Sequence, residues 1–298
     1  MDKELAFSAK PVFSDQVADG VTELRDYFYE KFKRHIVLLL EQKKARKIPS
    51  RKGYLNPRAL HKYQFSDNIF QKTIRKESSD TTIVFLIDGS GSMCNGERVP
   101  SGDSLISRIG VCAAVASAFA KANRLVLKNQ IPVEVFVKTA PCGWGASLTG
   151  TGNGPMSIIT RVFSSHTKDI DFDKILRIQM NAPVVDRHGR SEGSYTSEYS
   201  VLPALRDWMK RNIRTKKCIV FNLTDGEAYC ALGSQGFQFR SDDNKAMRIK
   251  YLKGVPNITL LVGMTATGRM KDVYGDNVIS SEDDFAGTLF RSFATFVE

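Results

Sequence analysis

The chain has 298 residues, 42% of them hydrophobic, enough for one large α/β domain with an extension or for two small domains. A formal charge of +11 admits an acidic or polyanionic partner, while the absence of any run of eighteen apolar residues argues against a membrane-spanning helix. The opening MDKELAFSAK holds no apolar signal core, so a cytoplasmic protein is expected, and five scattered cysteines with no Cys-x-x-Cys pair read as reduced thiols.

Residues 1–12 are sparse in apolar side chains and read as a loose end. Over residues 15–47, Val17, Val21, Leu24, Phe28, Phe32, Ile36 and Leu39 recur at three- and four-residue steps, the stripe of an amphipathic helix that Ile48-Pro49-Ser50 would end. Residues 31–52 carry nine Lys or Arg and one acid, Glu41. They read as a basic helix with a solvated face or a docking surface for an acidic protein, with nucleic acid as the alternative partner. Residues 53–60 form a turn into a short helix, and residues 65–74 lead into the first central strand. The chain thus divides into a basic helical extension, residues 1–75, and a main domain, residues 76–298.

Residues 81–87 are an unbroken β-branched and apolar run, the mark of a strand buried on both faces, and they break into Asp88-Gly89-Ser90-Gly91-Ser92. Asp103 would cap a helix over 104–126, whose Gly110, Ala113, Ala114, Ala116 and Ala118 suit close packing on a sheet. A strand at 133–137 precedes a Gly-, Ser- and Thr-rich loop over 140–155. A short edge strand at 158–163, a helix at 172–178, a polar loop at 183–195 and a helix at 201–213 follow. Next come a strand at 217–223, a helix at 241–253, strands at 258–262 and 277–279, and a closing helix at 284–297. Strands alternating with helices predict a doubly wound, mostly parallel sheet flanked by helices, Rossmann-like, with an N-terminal helical extension. Right-handed crossovers put the carboxyl ends of the parallel strands on one edge, where open α/β sheets bind ligands.

Asp88, Ser90 and Ser92 stand on that edge. The intervening glycines allow a tight loop that turns three oxygens toward one point. Hard oxygen donors with few charges suit Mg²⁺, or another divalent cation such as Mn²⁺ or Ca²⁺. The apolar strand that starts at Cys218 ends in Thr224-Asp225-Gly226, which puts Asp225 on the same edge.

Asp-x-Ser-x-Ser after a hydrophobic strand resembles the signature of von Willebrand factor A (VWA) domains. The resemblance implies a metal-ion-dependent adhesion site (MIDAS) completed by a Thr from a later loop and an Asp ending a later strand. Asp225 matches the Asp. Thr196, just ahead of the 201–213 helix, is the choice for the Thr, with Ser194 and Ser197 as alternatives; a lone Thr there could equally be an N-cap. On this pattern Ser90, Ser92 and Thr196 would bind the ion directly, Asp88 and Asp225 would bind through waters, and a partner's acidic side chain would enter as the last ligand. That is recognition rather than catalysis.

The lead-in Gly53-Tyr54-Leu55-Asn56-Pro57-Arg58-Ala59-Leu60 followed by Phe70 is similar to that of the cobaltochelatase CobT subunit, as are Gly91-Ser92-Met93, the segment holding Thr196 and Glu198, and the ending Val278-Ile279-Ser280-Ser281-Glu282-Asp283-Asp284-Phe285. This implies a non-catalytic subunit working with a MoxR- or CobS-type AAA+ ATPase, or a chelatase subunit inserting cobalt or magnesium into a tetrapyrrole. The chain is much shorter than a full CobT subunit and lacks its acidic stretch. Shortened CobT-like proteins encoded beside MoxR-type ATPases, including in phages, match its length better. No Gly-x-x-x-x-Gly-Lys-Ser/Thr loop and no Gly-x-Ser-x-Gly elbow occurs, so neither ATP hydrolysis nor serine-hydrolase chemistry is expected of the chain alone. Glu227, after Asp225-Gly226, is the one candidate base beside the ion, and His35, His61, His166 and His188 are dispersed.

Overall fold

The computed structural model describes residues 16–42, 46–52, 54–62, 70–74, 80–94, 96–99, 102–141, 158–167, 171–178, 184–185, 191–192, 194–195, 201–226, 241–263, 268–280 and 287. Apart from residue 287, which is helical, the expected closing helix at 284–297 falls outside these residues, as does most of the 140–155 loop.

The N-terminal stripe forms helix α1 (Val21–Gln42), which buries Val21, Leu24, Phe28, Phe32 and Ile36. It ends earlier than expected. Arg46–Ser50 is strand β1, antiparallel to β3 (Phe70–Ile74), whose other side takes β2 (Tyr54–Leu55). Pro49 explains the break: it has no amide proton and disfavours helical backbone at Ile48. β1 is an edge strand, the place in a sheet that tolerates proline. Residues 31–52 are therefore not one basic helix, and part of their charge is engaged locally: Lys31 lies over the Tyr27 ring and Lys33 over the Tyr29 ring, at 5.5 and 5.7 Å. The short helix expected near residue 60 is a 3₁₀ turn, Pro57–Lys62.

Strand β4 (Thr81–Asp88) is buried at all eight residues. A 3₁₀ turn (Gly91–Cys94) and a hairpin, β5 (Gly96–Val99) with β6 (Gly102–Ser107), lead into α2 (Arg108–Leu125). The helix starts four residues later than its sequence suggests. Ser107 is the N-cap, its Oγ accepting from the Gly110 amide at 3.2 Å, and Asp103 lies in β6. Gly110 is where α1 comes closest: a Cβ there would stand 2.9 Å from Ile106 Cγ2 and 3.2 Å from Val21 Cγ2.

Strands β7 (Val133–Pro141) and β8 (Ile158–Ser164), helix α3 (Asp173–Leu176), the strand pair β9 (Val184–Val185) and β10 (Ser191–Glu192), and β11 (Ser194–Tyr195) follow. The chain continues through α4 (Leu202–Asn212), β12 (Lys217–Thr224), α5 (Ser241–Tyr251), β13 (Asn257–Leu261), α6 (Gly268–Tyr274) and β14 (Val278–Ser280). The main sheet has seven strands in the order β11-β7-β4-β12-β13-β14, with β8 also on β7. Strands β7, β4, β12, β13 and β14 are parallel, whereas β8 and β11 run antiparallel along the outer side of β7.

Alternate residues of β4 serve opposite faces. Ile83, Phe85 and Ile87 join the core with α1 and α2; Val84 and Leu86 join the one with α4 and α6. The expected mostly parallel α/β sheet with helices on both faces is thus present. Among the described residues no helix is long and apolar enough to cross a membrane. A line of aromatic rings ties the layers together: Phe32–Phe119 and Phe119–Phe85 at 5.6 Å, then Phe85–Phe221 at 5.3 Å between centroids. Phe32→Ala should therefore lower the unfolding free energy by about 3–5 kcal/mol in urea titrations, the cost of a cavity within a shared core.

Glu134 on β7 is the one acid in its strand and is buried. Its Oε1 accepts from Ser164 Oγ at 2.7 Å, Arg161 stands 3.9 Å from Oε2, and Oε2 has no hydrogen-bond partner among the described residues. Burial raises its pKa above the ordinary 4.5, against the lowering effects of Ser164, Arg161 and His166. A carboxyl that binds protons more tightly when folded stabilises the fold below 4.5 and loses that stabilisation as pH rises through its raised pKa. Glu134→Gln keeps the acceptor for Ser164 and removes the charge. It should stabilise the protein at pH 7.5 and have little effect at pH 4, read as the difference in urea midpoints.

Candidate functional site

Strands β4 and β12 lie side by side in parallel register, Ile87 beside Leu223, so the residues that follow both emerge at the same carboxyl edge. Asp88 and Asp225 are both fully buried there. The Asp88 carboxylate organises the loop after it: Oδ1 accepts from the Ser90 amide at 2.9 Å, and Oδ2 accepts from the Thr224 hydroxyl at 2.8 Å. The Gly89 amide donates to the Lys138 carbonyl at 2.9 Å, and the Met93 amide to the Ser90 carbonyl at 3.2 Å. These bonds fold residues 88–93 into a tight turn that brings Ser90 Oγ within 3.2 Å of Ser92 Oγ. Ser90 is buried and Ser92 half-buried.

On β12, the Thr224 oxygen also accepts from the Gly226 amide at 3.2 Å, holding the chain as it passes Asp225. Gly226 has φ +89°, and a Cβ there would stand 2.9 Å from Met270 Cε. Both the backbone and the packing against α6 call for glycine.

Two cations stand with the two carboxylates. Lys138, beside Asp88 in register on β7, is fully buried; its ammonium reaches across β4 and donates to Asn222 Oδ1 on β12 at 3.0 Å. Arg108, the first residue of α2, stands 3.4 Å from Asp225 Oδ2 and 3.4 Å from the Gly263 carbonyl. One turn along α2, burial pushes the Cys112 thiol far up, and the charges of Asp88 and Asp225 add to this while Lys138 opposes it. Cys112 is therefore a neutral lining group at physiological pH, not a nucleophile.

Four of the five expected site residues, Asp88, Ser90, Ser92 and Asp225, thus share one edge. Thr196 and the alternative Ser197 lie outside the described residues, as does Glu227. Tyr195, the described residue next to Thr196, pairs with Ala140 on β7, two residues beyond Lys138 and so at this same edge, with Ser194 opposite Pro141. Sequence reading missed Arg108, Lys138, Asn222 and Thr224. Thr224 was signalled by the Thr-Asp-Gly strand end, whereas a lysine after an apolar strand reads as solvent-exposed.

Among the described residues, no group of three or more His, Cys, Asp or Glu could hold a metal. This edge offers two carboxylates and otherwise hydroxyls, a donor set fitted to a hard cation and not to zinc. Thr224→Val leaves Asp88 Oδ2 short of its donor in a buried setting. It should reduce stability by roughly 1–3 kcal/mol, measured by chemical denaturation.

No protein-family profile and no curated protein matches the chain. Among solved structures, the Deinococcus radiodurans RO (RSR) protein is similar over 74% of this chain, at 12% identity and a TM-score of 0.37. An uncharacterized membrane spanning protein from Vibrio fischeri aligns over 72% of this chain and 97% of its own, at 11% identity and a TM-score of 0.25. The chain spans about a third, 36%, of the RO protein's length.

Proposed function

We propose that this chain is a VWA-type, CobT-like subunit that docks an acidic protein partner through a divalent cation held at the carboxyl edge, and that it works with a MoxR- or CobS-type AAA+ ATPase. The observation that carries the reading is the meeting of the Asp88–Ser90–Ser92 turn with Asp225 across two adjacent parallel strands. The sequence resemblance supplies the class of partner.

The donors fit Mg²⁺. Neighbouring ligands of an octahedral ion with ligand distances of 2.0–2.1 Å lie about 3 Å apart. Ser90 Oγ and Ser92 Oγ are separated by 3.2 Å before any ion enters. Ser90, Ser92 and Thr196 would hold the ion, with Asp88 and Asp225 behind them. When bound, the cation supplies an electrophilic point for a partner's carboxylate oxygen. The chain's own residues set the charge: Lys138 and Arg108 already offset Asp88 and Asp225, so an added ion leaves the edge positive and attractive to an acidic side chain. Arg108 also competes with the ion for Asp225.

Three measurements test this. Titration calorimetry with Mn²⁺ or Mg²⁺ should give binding to the wild type and, for Ser92→Ala or Asp225→Asn, a loss of about tenfold or more, comparable to the loss of a metal-site partner. Arg108→Gln should tighten binding. No ion binding by the wild type would remove the reading. Capture of a MoxR- or CobS-type AAA+ ATPase by this chain should be lost in EDTA and in Ser92→Ala. Capture unchanged in both would leave the domain without a metal bridge.

A further inference from the structure

At the opposite edge of the sheet, where β12 begins at Lys217 and β13 at Asn257, the chain gathers positive charge. Residues 206–217 hold Arg206, Lys210, Arg211, Arg214, Lys216 and Lys217 against one acid, Asp207. The end of α4, the connection to β12 and the turn after α5 enclose a cleft of about 540 Å³. Its lining includes the cations Arg206, Lys210, Lys216 and Lys217 and the apolar Met209, Ile213, Val255 and Pro256. A second cleft of about 330 Å³ shares Val255 and Pro256 and adds Arg248 and Lys253.

The fold does not account for this charge. A basic last turn suits the negative end of a helix, which explains Lys210 and Arg211. It does not explain Arg206, earlier in α4, or Lys216, in the connection to β12. Lys210 stands 3.9 Å from Asp207, but both side chains are more than half exposed, so the pair is screened. Among the described residues neither Arg206 nor Lys216 forms an ion pair. Cations gathered around one concavity repel one another, and a bound anion would relieve that repulsion. Cys218, also in the cleft, is no nucleophile: burial pushes its thiol up to about 12, against a lowering effect of Arg206.

We propose that this cleft binds a phosphorylated nucleoside, with its phosphates on Arg206, Lys210, Lys216 and Lys217 and its sugar and base against Met209, Ile213, Val255 and Pro256. Arg and Lys are the side chains that bind phosphate oxygens. A pocket of this volume, part apolar and part cationic, is sized for one such unit. The unit is either a free nucleotide or a member of a single RNA strand, whose neighbouring phosphates would reach Arg211, Arg214 and Lys253.

The test uses the full chain in EDTA, so that no divalent ion at the opposite edge can hold a phosphate. ATP is titrated by calorimetry and a labelled single-stranded RNA by fluorescence anisotropy. The wild type is compared with the exposed pair Lys210→Glu/Lys216→Glu and with Lys33→Glu/Arg34→Glu on α1, which changes net charge equally. All three are checked for the same thermal unfolding. Binding should weaken about tenfold or more in the cleft variant, stay within about twofold in the α1 variant, and fall as salt rises. ATP binding marks a free nucleotide as the ligand; RNA binding without ATP binding marks the strand. Absence of both, or equal weakening in the two variants, overturns the proposal, because the charge would then act as a diffuse surface field.

Discussion

The Asp88 and Asp225 carboxylates are buried completely at the end of a parallel sheet, where leaving them unpaired would be costly. The surrounding residues answer that constraint. Asp88 takes one hydrogen bond from its own loop and one from the neighbouring strand, so the same contacts that satisfy the charge also join β4 to β12. Lys138 reaches across β4 to Asn222 and brings a positive charge under the loop without exposing it. Ser107 fixes the start of α2, which makes Arg108 its first residue and sets it over Asp225. Gly226, at positive φ, leaves room for Met270 of α6 beside Asp225. One set of residues thus satisfies both buried charges and fixes the shape of the edge.

The parts legible in the sequence are those whose signal is local. The run at 81–87 read as a strand buried on both faces and 217–223 as a strand, and the α1 stripe matches the buried Val21, Leu24, Phe28, Phe32 and Ile36. Elements decided by distant pairing were read less well. Asp103 is the cap expected from the sequence, and the pairing of residues 102–107 with 96–99 moves the helix start to Ser107. Helix α6 went unseen, although Met270, Val273 and Tyr274 keep helical spacing and pack on the second core. At the site, the oxygen donors were legible because Asp, Ser and Gly in alternation restrict what a loop can do. The cations were not, because nothing local distinguishes Lys138 from a solvated strand end or Arg108 from an ordinary helical arginine.

The two edges of the sheet differ in how they handle charge. At the carboxyl edge, opposite charges are matched within the fold and shielded from water. At the amino edge, charges of one sign are left around an open cleft. Matched buried charges favour a fixed geometry, since each group is held by its partners. Exposed charges of one sign favour attraction over distance, which weakens with salt. The first arrangement suits discrimination of one ligand atom, the second capture of an extended anion.

The Arg108 contact shows why the carboxyl edge need not be locked. Its distances to Asp225 and to the Gly263 carbonyl are both 3.4 Å, beyond the 2.7–3.2 Å of well-formed N–H···O bonds. An arginine can bind a carboxylate in a bidentate fork, but here its two nitrogens are divided between different acceptors. The pairing is enough to balance a buried charge and too loose to define the site. A small cation held by Ser90 and Ser92 and reaching Asp225 through a water would bring a second positive charge to this carboxylate. Arg108, whose side chain keeps 15% exposure, could then move toward solvent without leaving Asp225 unopposed.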